Sequence, residues 1–270
     1  MRSGETKDGH PYQRLIQLQG THNFRDMGGY TALDGRKMKR GILYRSDELS
    51  RLTDLDLEKL RQLGIKTICD LRAPNERNSK PDRIPQDAGF RVIHVPIYPH
   101  RKDPNAFQRW FLLVTARFRN FDTELFMIEY YHRIAFDNAV HIGEILTLFA
   151  DQNNLPALVH CAGGKDRTGF VAALVQLLAG VPQETVLEDY LLTNRFMESY
   201  NEKTIRKLRR MSLFQASADF LRPVMEARPQ YLEQILDEVL NVYGTIEEYL
   251  RGACGVSPDS IKALRRLLLE

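Results

Sequence analysis

Short apolar runs alternate with amphipathic segments along the first two thirds of the chain. The runs at 66–71, 90–95 and 155–160 are brief and rich in β-branched residues, which is typical of buried strands. Glycine and turn-forming residues between 21 and 47 predict short strands and loops. Leucines at helical spacing over 54–63 predict a helix. Because strands alternate with helices, the pattern indicates an α/β fold.

Long helical patterns fill the rest of the chain. Residues 168–179 are apolar and uncharged, so they predict a buried helix that begins inside a loop and ends at Gly180. From 184 onward the pattern is helical to the end. The segment 100–151 predicts two or more helices whose aromatic residues either face the core or form a lid over a site. The apolar side chains that define it are Phe107, Trp110, Phe111, Val114, Phe118, Phe126, Tyr130 and Tyr131.

Composition narrows this picture without changing it. A length of 270 residues with 43% apolar residues predicts one domain with a large core, and a net charge of +3 does not indicate a nucleic-acid partner. The cysteines, Cys69, Cys161 and Cys254, lie far apart without zinc-ligand spacing, so we expect a reducing compartment, no metal and no cofactor. Neither a secretory signal nor a membrane-spanning run is visible, which predicts a cytoplasmic protein. Export by another route and the oligomeric state stay open.

The chemistry concentrates in one loop, which reads His-Cys-Ala-Gly-Gly-Lys-Asp-Arg-Thr-Gly from His160 to Gly169. Cys161 stands between a predicted strand and a predicted helix, where backbone amides and the helix N-terminus stabilise a thiolate. The following residues allow the backbone N–H groups to turn inward as an anion-binding nest. Those expected phosphate-binding residues are Ala162, Gly163, Gly164, Lys165 and Thr168.

Arg167 stands six residues after Cys161, and its planar guanidinium can hold two phosphate oxygens at once. The Thr168 hydroxyl is expected to donate to the sulfur, and His160 is expected to support the loop rather than act as a base. The loop therefore predicts an enzyme in which a cysteine attacks a phosphate ester.

The loop resembles that of the cysteine-dependent protein-tyrosine phosphatases. It is most similar to the atypical bacterial branch related to the Listeria-type lipid and tyrosine phosphatases and the secreted mycobacterial tyrosine phosphatase. Three further stretches carry the resemblance, and they read Asn-Phe-Arg-Asp-Met-Gly-Gly from 23, Asp-Leu-Arg-Ala-Pro-Asn-Glu from 70 and Asp-Tyr-Leu-Leu-Thr-Asn from 189. Arg25 and Asp26, in the first stretch, are accordingly expected to support the loop.

The residue patterns predict an irregular arm at 1–20, followed by one domain over 21–270 with a helical insertion at about 100–151 and a helical C-terminal half. The resemblance implies that this is a phosphatase domain, with a twisted, mostly parallel sheet flanked by helices. It also implies that the general acid comes from the loop, as Asp166. Repulsion between this carboxylate and a bound phosphate dianion would favour its protonated form. Asp70, at the end of a predicted strand, is the alternative acid.

The substrate class is less narrowly defined. We expect a phosphorylated protein, with phosphotyrosine first and phosphoserine or phosphothreonine as further candidates. Lys165 raises a phosphoinositide as the alternative, because a second cation would neutralise additional ring phosphates. It is equally well explained as a partner that offsets the charge of Asp166, or as a solvent-facing side chain. A protein that binds phosphorylated partners without turnover is the remaining alternative.

Overall fold

A computed structural model of the protein describes residues 14–98 and 122–270. Its sheet has five strands in the order β1-β2-β5-β3-β4. All neighbours are parallel except β1 and β2, which are antiparallel. The strands are β1 (Arg25–Asp26), β2 (Leu43–Ser46), β3 (Thr67–Asp70), β4 (Arg91–His94) and β5 (Ala157–His160).

Helices connect and cover these strands. Within the described residues they are α1 (Asp54–Gln62), α2 (Pro74–Ser79), α3 (Thr123–Ala135), α4 (Ala139–Phe149), α5 (Arg167–Leu178), α6 (Gln183–Met211), α7 (Ala218–Met225), α8 (Pro229–Tyr243), α9 (Ile246–Gly252) and α10 (Pro258–Leu268). No helix in this part of the chain combines the length and apolar character that a membrane span requires.

The register of the sheet brings the carboxyl ends of three strands together. Ser46 at the end of β2 and Asp70 at the end of β3 both pair with His160 at the end of β5. The chain then leaves β5 directly into Cys161. Because loops at the carboxyl ends of parallel strands share one edge of the sheet, this edge is where a site is expected.

Both faces of the sheet are covered. Leu158 points into one apolar cluster with residues of β2, β3 and α1, whereas Val159 points into the larger cluster formed with the C-terminal helices. Helix α5 is buried along nearly its whole length, which explains why its sequence carries no charge after Arg167. The helix that follows the loop is thereby fixed against the sheet.

The mixed α/β architecture with a mostly parallel sheet is confirmed. One strand differs from expectation: β4, predicted to be buried, is an edge strand whose residues are mostly exposed. The apolar residues of β4 indicated a buried strand, but one of them, Val92, lies at the surface. In the expected N-terminal arm, Leu15 bridges to Arg25 and the Gly20 amide binds Asp56. Of the expected insertion, α3 and α4 are helical, and 99–121, with Phe107 to Phe118, lies outside the described residues.

Candidate active site

The loop between β5 and α5 surrounds a nearly inaccessible cysteine. Cys161 is only 2% exposed and is followed by the backbone turn that ends at the first residue of α5. Gly164 adopts a φ of +63°, and a Cβ atom there would lie 2.4 Å from the Ser46 carbonyl oxygen. Glycine is therefore required at this position both by its backbone conformation and by the close approach of β2. Ala162 and Gly163 complete the turn, and the Ala162 carbonyl accepts from the Glu48 amide.

Buried polar side chains hold the loop from the side of β1 and β2. The Asn23 amide donates to the carbonyls of Gly163 and Gly164 at 3.1 and 3.2 Å, and Arg45 donates to the Gly164 carbonyl at 2.8 Å. Arg25 donates in turn to the Asn23 side-chain oxygen. These donors hold the loop by the carbonyls of Gly163 and Gly164.

Two arginines share one carboxylate beneath the loop. Asp189 accepts from Arg25 at 3.2 Å and from Arg45 at 2.9 Å, and all three side chains are buried. Burial alone would raise the pKa of Asp189, but the two guanidinium charges lower it to about 2. Burial and repulsion from Arg25 lower the pKa of Arg45 to about 10. The group keeps a net positive charge at neutral pH, and Arg45 interacts electrostatically with the charge of Cys161.

Arg167 is positioned by an acidic residue that the sequence reasoning did not single out. Its two terminal nitrogens donate to the two carboxylate oxygens of Glu76 at 2.6 and 2.7 Å. Glu76 also accepts from the Ala73 amide, so it caps the N-terminus of α2 at the same time. The sequence signal that could have identified Glu76 is its position in the stretch that begins at Asp70 and carries the family resemblance.

Several buried polar atoms around the loop have no hydrogen-bond partner within the described residues. Besides Arg45 Nε and the two ring nitrogens of His160, they include the Thr168 hydroxyl and the Arg167 Nε atom, which is on the side of the guanidinium that Glu76 leaves open. Buried donors without partners cost free energy, so a site that retains them is suited to an acceptor that arrives from outside. A phosphate ester offers such oxygens.

Asp166, the residue just before α5, is held by a tyrosine pair. The Tyr131 hydroxyl donates to its Oδ1 atom at 2.8 Å and lies 2.7 Å from the Tyr190 hydroxyl. Burial raises the pKa of Tyr131 well above its ordinary value, so the phenol keeps its proton. The Asp166 side chain is 18% exposed, which leaves it accessible to a substrate.

Lys165 points away from solvent and is 6% exposed. Its ammonium donates to the carbonyls of Val224 and Glu226 at 2.9 and 3.0 Å, and lies 3.1 Å from Asp166 Oδ1. An ammonium has three N–H donors, so these three oxygens can use them all. Of the expected placements, the pairing with Asp166 is observed and the solvent-facing one is not.

Asp70 has a different environment. It is fully buried and accepts from the Nε and Nη2 atoms of Arg72, both at 2.9 Å. Burial alone would raise its pKa, but the hydrogen bonds and charge of Arg72 hold the pKa below the ordinary value. Asp70, Asp82 and His160 are close enough together to hold a metal ion, yet the Arg72 guanidinium already bridges both carboxylates. Arg77 also lies 3.4 Å from Asp70. The cluster is therefore an ion-pair network of two carboxylates and two arginines, with His160 at 3.3 Å from Asp82.

Of the two residues on β1 that were expected to support the loop, Arg25 and Asp26, only Arg25 does so. Arg25 contacts the network under the loop, as described. Asp26, one residue later on β1, instead accepts from the amides of Gly28 and Gly41, both at 2.7 Å. Neighbouring residues on a strand point to opposite faces, so only one of the two can reach the loop.

Two aromatic residues of the expected insertion, Tyr130 and Tyr131, lie close to the loop, and a lid formed by this segment stays a prediction. Tyr131 is buried in the core and reaches Asp166. Tyr130 is partly buried, and its phenol interacts electrostatically with Arg167, Asp166, Cys161 and Glu76, which locates it at the loop. Aromatic spacing pointed to this helix without indicating which ring would face the site.

The chain is similar to known proteins over most of its length. A family model described as the tyrosine phosphatase family matches residues 16–270. The chain is 28% identical over 255 residues to a predicted tyrosine-protein phosphatase of Cupriavidus necator, covering 91% of this chain and 89% of that one. It is 29% identical over 283 residues to the triple specificity protein phosphatase PtpB of Mycobacterium tuberculosis, covering 94% and 98%. Among solved structures, the Siw14 catalytic core aligns with 74% of this chain and 97% of that one at 16% identity and a TM-score of 0.36.

Proposed function

The chain belongs to the tyrosine phosphatase family, and we propose that it hydrolyses phosphotyrosine through a cysteinyl-phosphate intermediate on Cys161, without a metal ion. The observation that carries the proposal is the pair of buried, unpartnered donors, Arg167 Nε and Thr168 Oγ1, on a loop that hydrogen bonds to two of its carbonyls hold in place. The name of the mycobacterial relative, a triple specificity protein phosphatase, is consistent with a phosphorylated protein as substrate.

In the first step the Cys161 thiolate attacks phosphorus as the bond to the tyrosine oxygen breaks. The loop N–H groups and Arg167 hold the phosphoryl oxygens, and Glu76 keeps the guanidinium in the orientation that presents Nε. Asp166 donates its proton to the leaving oxygen, which departs as the neutral phenol. The positively charged Arg45 and Arg167 both interact electrostatically with Cys161.

In the second step a water molecule attacks phosphorus and the S–P bond breaks. Asp166, now a carboxylate, accepts a proton from that water, so the acid of the first step is regenerated. The Thr168 hydroxyl, which has no other partner among the described residues, donates to the departing sulfur. Inorganic phosphate then leaves and the enzyme returns to its starting protonation.

Two alternatives are less well supported. A binding module without turnover has no need of an acid, yet Asp166 is held in place by Tyr131 beside the nucleophile. A phosphoinositide substrate would use Lys165 for a further phosphate, but its ammonium already faces three oxygens. We therefore propose phosphotyrosine as the first substrate class, with Lys165 serving to join α7 to the loop.

A substrate panel with EDTA present tests the proposal. Wild-type protein is assayed on phosphotyrosine and phosphoserine peptides of one sequence and on vesicles that contain phosphoinositides. We expect turnover of the phosphotyrosine peptide and its loss in Cys161→Ser. Lys165→Ala should lower thermal stability and reduce peptide turnover only in part, because Asp166 loses the ammonium at 3.1 Å but keeps Tyr131. Lipid turnover that exceeds peptide turnover and falls further than peptide turnover in Lys165→Ala would replace phosphotyrosine by the phosphoinositide. Peptide turnover that persists in Cys161→Ser would refute the mechanism.

A further inference from the structure

A row of basic residues runs along one exposed face of α6. Lys203, Arg206, Lys207 and Arg210 are all exposed, and they stand at positions i, i+3, i+4 and i+7, which is the spacing of one helix face. No carboxylate in the described parts of the chain lies within ion-pair distance of any of the four. We call this set the basic stripe.

The stripe leads to exposed apolar residues where the chain turns from α6 into α7. Met211, Leu213 and Phe214 are 44%, 72% and 67% exposed, and we call them the apolar tip. Leu213 and Phe214 both have positive φ values, 52° and 63°. Such values are unfavourable for large side chains, so a conformation that also exposes them to water is doubly costly.

Hydrogen bonds nevertheless hold the turn between α6 and α7 in this conformation. The amides of Leu213 and Phe214 donate to the carbonyls of Arg210 and Arg209, and the Ser212 hydroxyl accepts from Ala216. Behind it, Ile205, Ala216 and Leu221 form a small separate core between α6 and α7. The tip side chains lie outside this core, although the Arg209 guanidinium lies over the Phe214 ring at 5.8 Å from its centroid. The turn therefore holds these side chains largely exposed to solvent.

We propose that the basic stripe and the apolar tip form a docking surface for an anionic lipid bilayer. Exposed cations in a row favour a surface of negative phosphate headgroups, and the apolar tip gains by entering the boundary between headgroups and acyl chains. An acidic protein or a nucleic acid would satisfy the stripe but would leave the tip in water. A bilayer is the partner that matches both parts.

Docking here leaves the catalytic loop accessible. The tip precedes α7, whereas Lys165 contacts the carbonyls of Val224 and Glu226 at the opposite end of that helix. At 1.5 Å per residue, the eight residues of α7 separate these points by about 12 Å. The inference does not depend on the proposed activity, since binding can be measured without a phosphorylated substrate.

Vesicle co-sedimentation tests the proposal with the full chain. Vesicles of phosphatidylcholine alone are compared with an equal mixture of phosphatidylcholine and phosphatidylglycerol. Leu213→Asn/Phe214→Asn replaces the two most exposed apolar side chains of the tip. Asparagine tolerates a positive φ, so we expect folding to be retained. Lys207→Glu/Arg210→Glu reverses part of the stripe. The controls are Leu33→Asn, another exposed leucine, and Lys262→Glu/Arg266→Glu, the same charge change on α10.

We expect wild type to bind the anionic vesicles and not the neutral ones, less strongly as salt increases. Each test variant should lower the partition coefficient by about tenfold or more, whereas the controls stay close to wild type and all variants keep the wild-type melting temperature within a few degrees. Wild type that stays in the supernatant would overturn the proposal. Equal losses of vesicle binding in the stripe and α10 variants would show that binding depends on net charge alone, and would overturn the stripe as a specific docking surface. Binding unaffected by Leu213→Asn/Phe214→Asn would exclude insertion of the tip.

Discussion

Replacing Tyr131 by Phe isolates the support given to the proposed acid. The substitution removes one hydroxyl from a fully buried side chain and leaves the ring packing intact. Asp166 Oδ1 then loses its 2.8 Å hydrogen bond but keeps Lys165 at 3.1 Å. The Tyr190 hydroxyl loses its neighbour at the same time.

The expected cost follows from what that hydrogen bond does as the proton leaves. A hydroxyl binds a carboxylate more strongly than a neutral carboxylic acid, so Tyr131 stabilises Asp166 most when its proton has been transferred. Hydrogen bonds to charged groups contribute about 1.5–3 kcal/mol. Because Lys165 retains part of this stabilisation, we expect the lower end, a loss of about tenfold in kcat where proton transfer limits the rate.

The assay compares two leaving groups. Nitrophenolate departs readily without a proton, so kcat on p-nitrophenyl phosphate should fall by only about two- to threefold, whereas an alkyl phosphate should show the tenfold loss. Tyr249→Phe is the matched control, because it removes a buried hydroxyl that donates to the Ala135 carbonyl at 2.6 Å. It should lower stability and leave the ratio of the two rates unchanged. Equal losses on both substrates for Tyr131→Phe would refute the reasoning.

Other predictions test the parts that surround the loop. Glu76→Ala should lower kcat/KM by roughly tenfold because Arg167 loses its orientation, as measured by steady-state kinetics. Glu76→Gln should recover only part of the loss, because its amide offers Arg167 one acceptor oxygen in place of two. Asp189→Asn should lower the free energy of unfolding by about 3–5 kcal/mol in urea denaturation, since it leaves buried arginines unpaired. Because the pKa of Asp189 falls from 3.8 to about 2 on folding, its contribution is complete above the higher value and disappears as pH falls through the lower one. The acid limb of unfolding should therefore flatten in that variant. Gly164→Ala should abolish activity, and a circular dichroism spectrum like that of wild type would confine the damage to the loop.

The strand, loop and helix that carry the site could be predicted from sequence because they are local. A short apolar run, two glycines and an uncharged apolar segment follow one another over 155–179, and the structure has β5, the loop and α5 there. The mostly parallel sheet was likewise predictable from the alternation of strands and helices. Such patterns report backbone periodicity, which neighbouring residues determine.

The partners of the loop side chains could not be predicted in the same way. Glu76 precedes Arg167 by 91 positions, and the carbonyls that bind Lys165 come from the end of α7, 59 and 61 positions later. Nothing in the periodicity of α7 marks its backbone oxygens as ligands of an ammonium. The choice between Asp166 and Asp70 depends on the same kind of contact, because Arg72 stabilises the ionised form of Asp70.

The most direct test of the mechanism is to look for the phosphate on the nucleophile. Wild-type protein and Cys161→Ser are mixed with a phosphotyrosine peptide and quenched with acid during turnover, and the digested peptides are analysed by mass spectrometry. We predict a phosphate adduct on the peptide that contains Cys161 in wild type, and its absence from Cys161→Ser together with a loss of turnover by roughly three orders of magnitude or more. An adduct on another residue, or turnover that survives the substitution, would contradict the account.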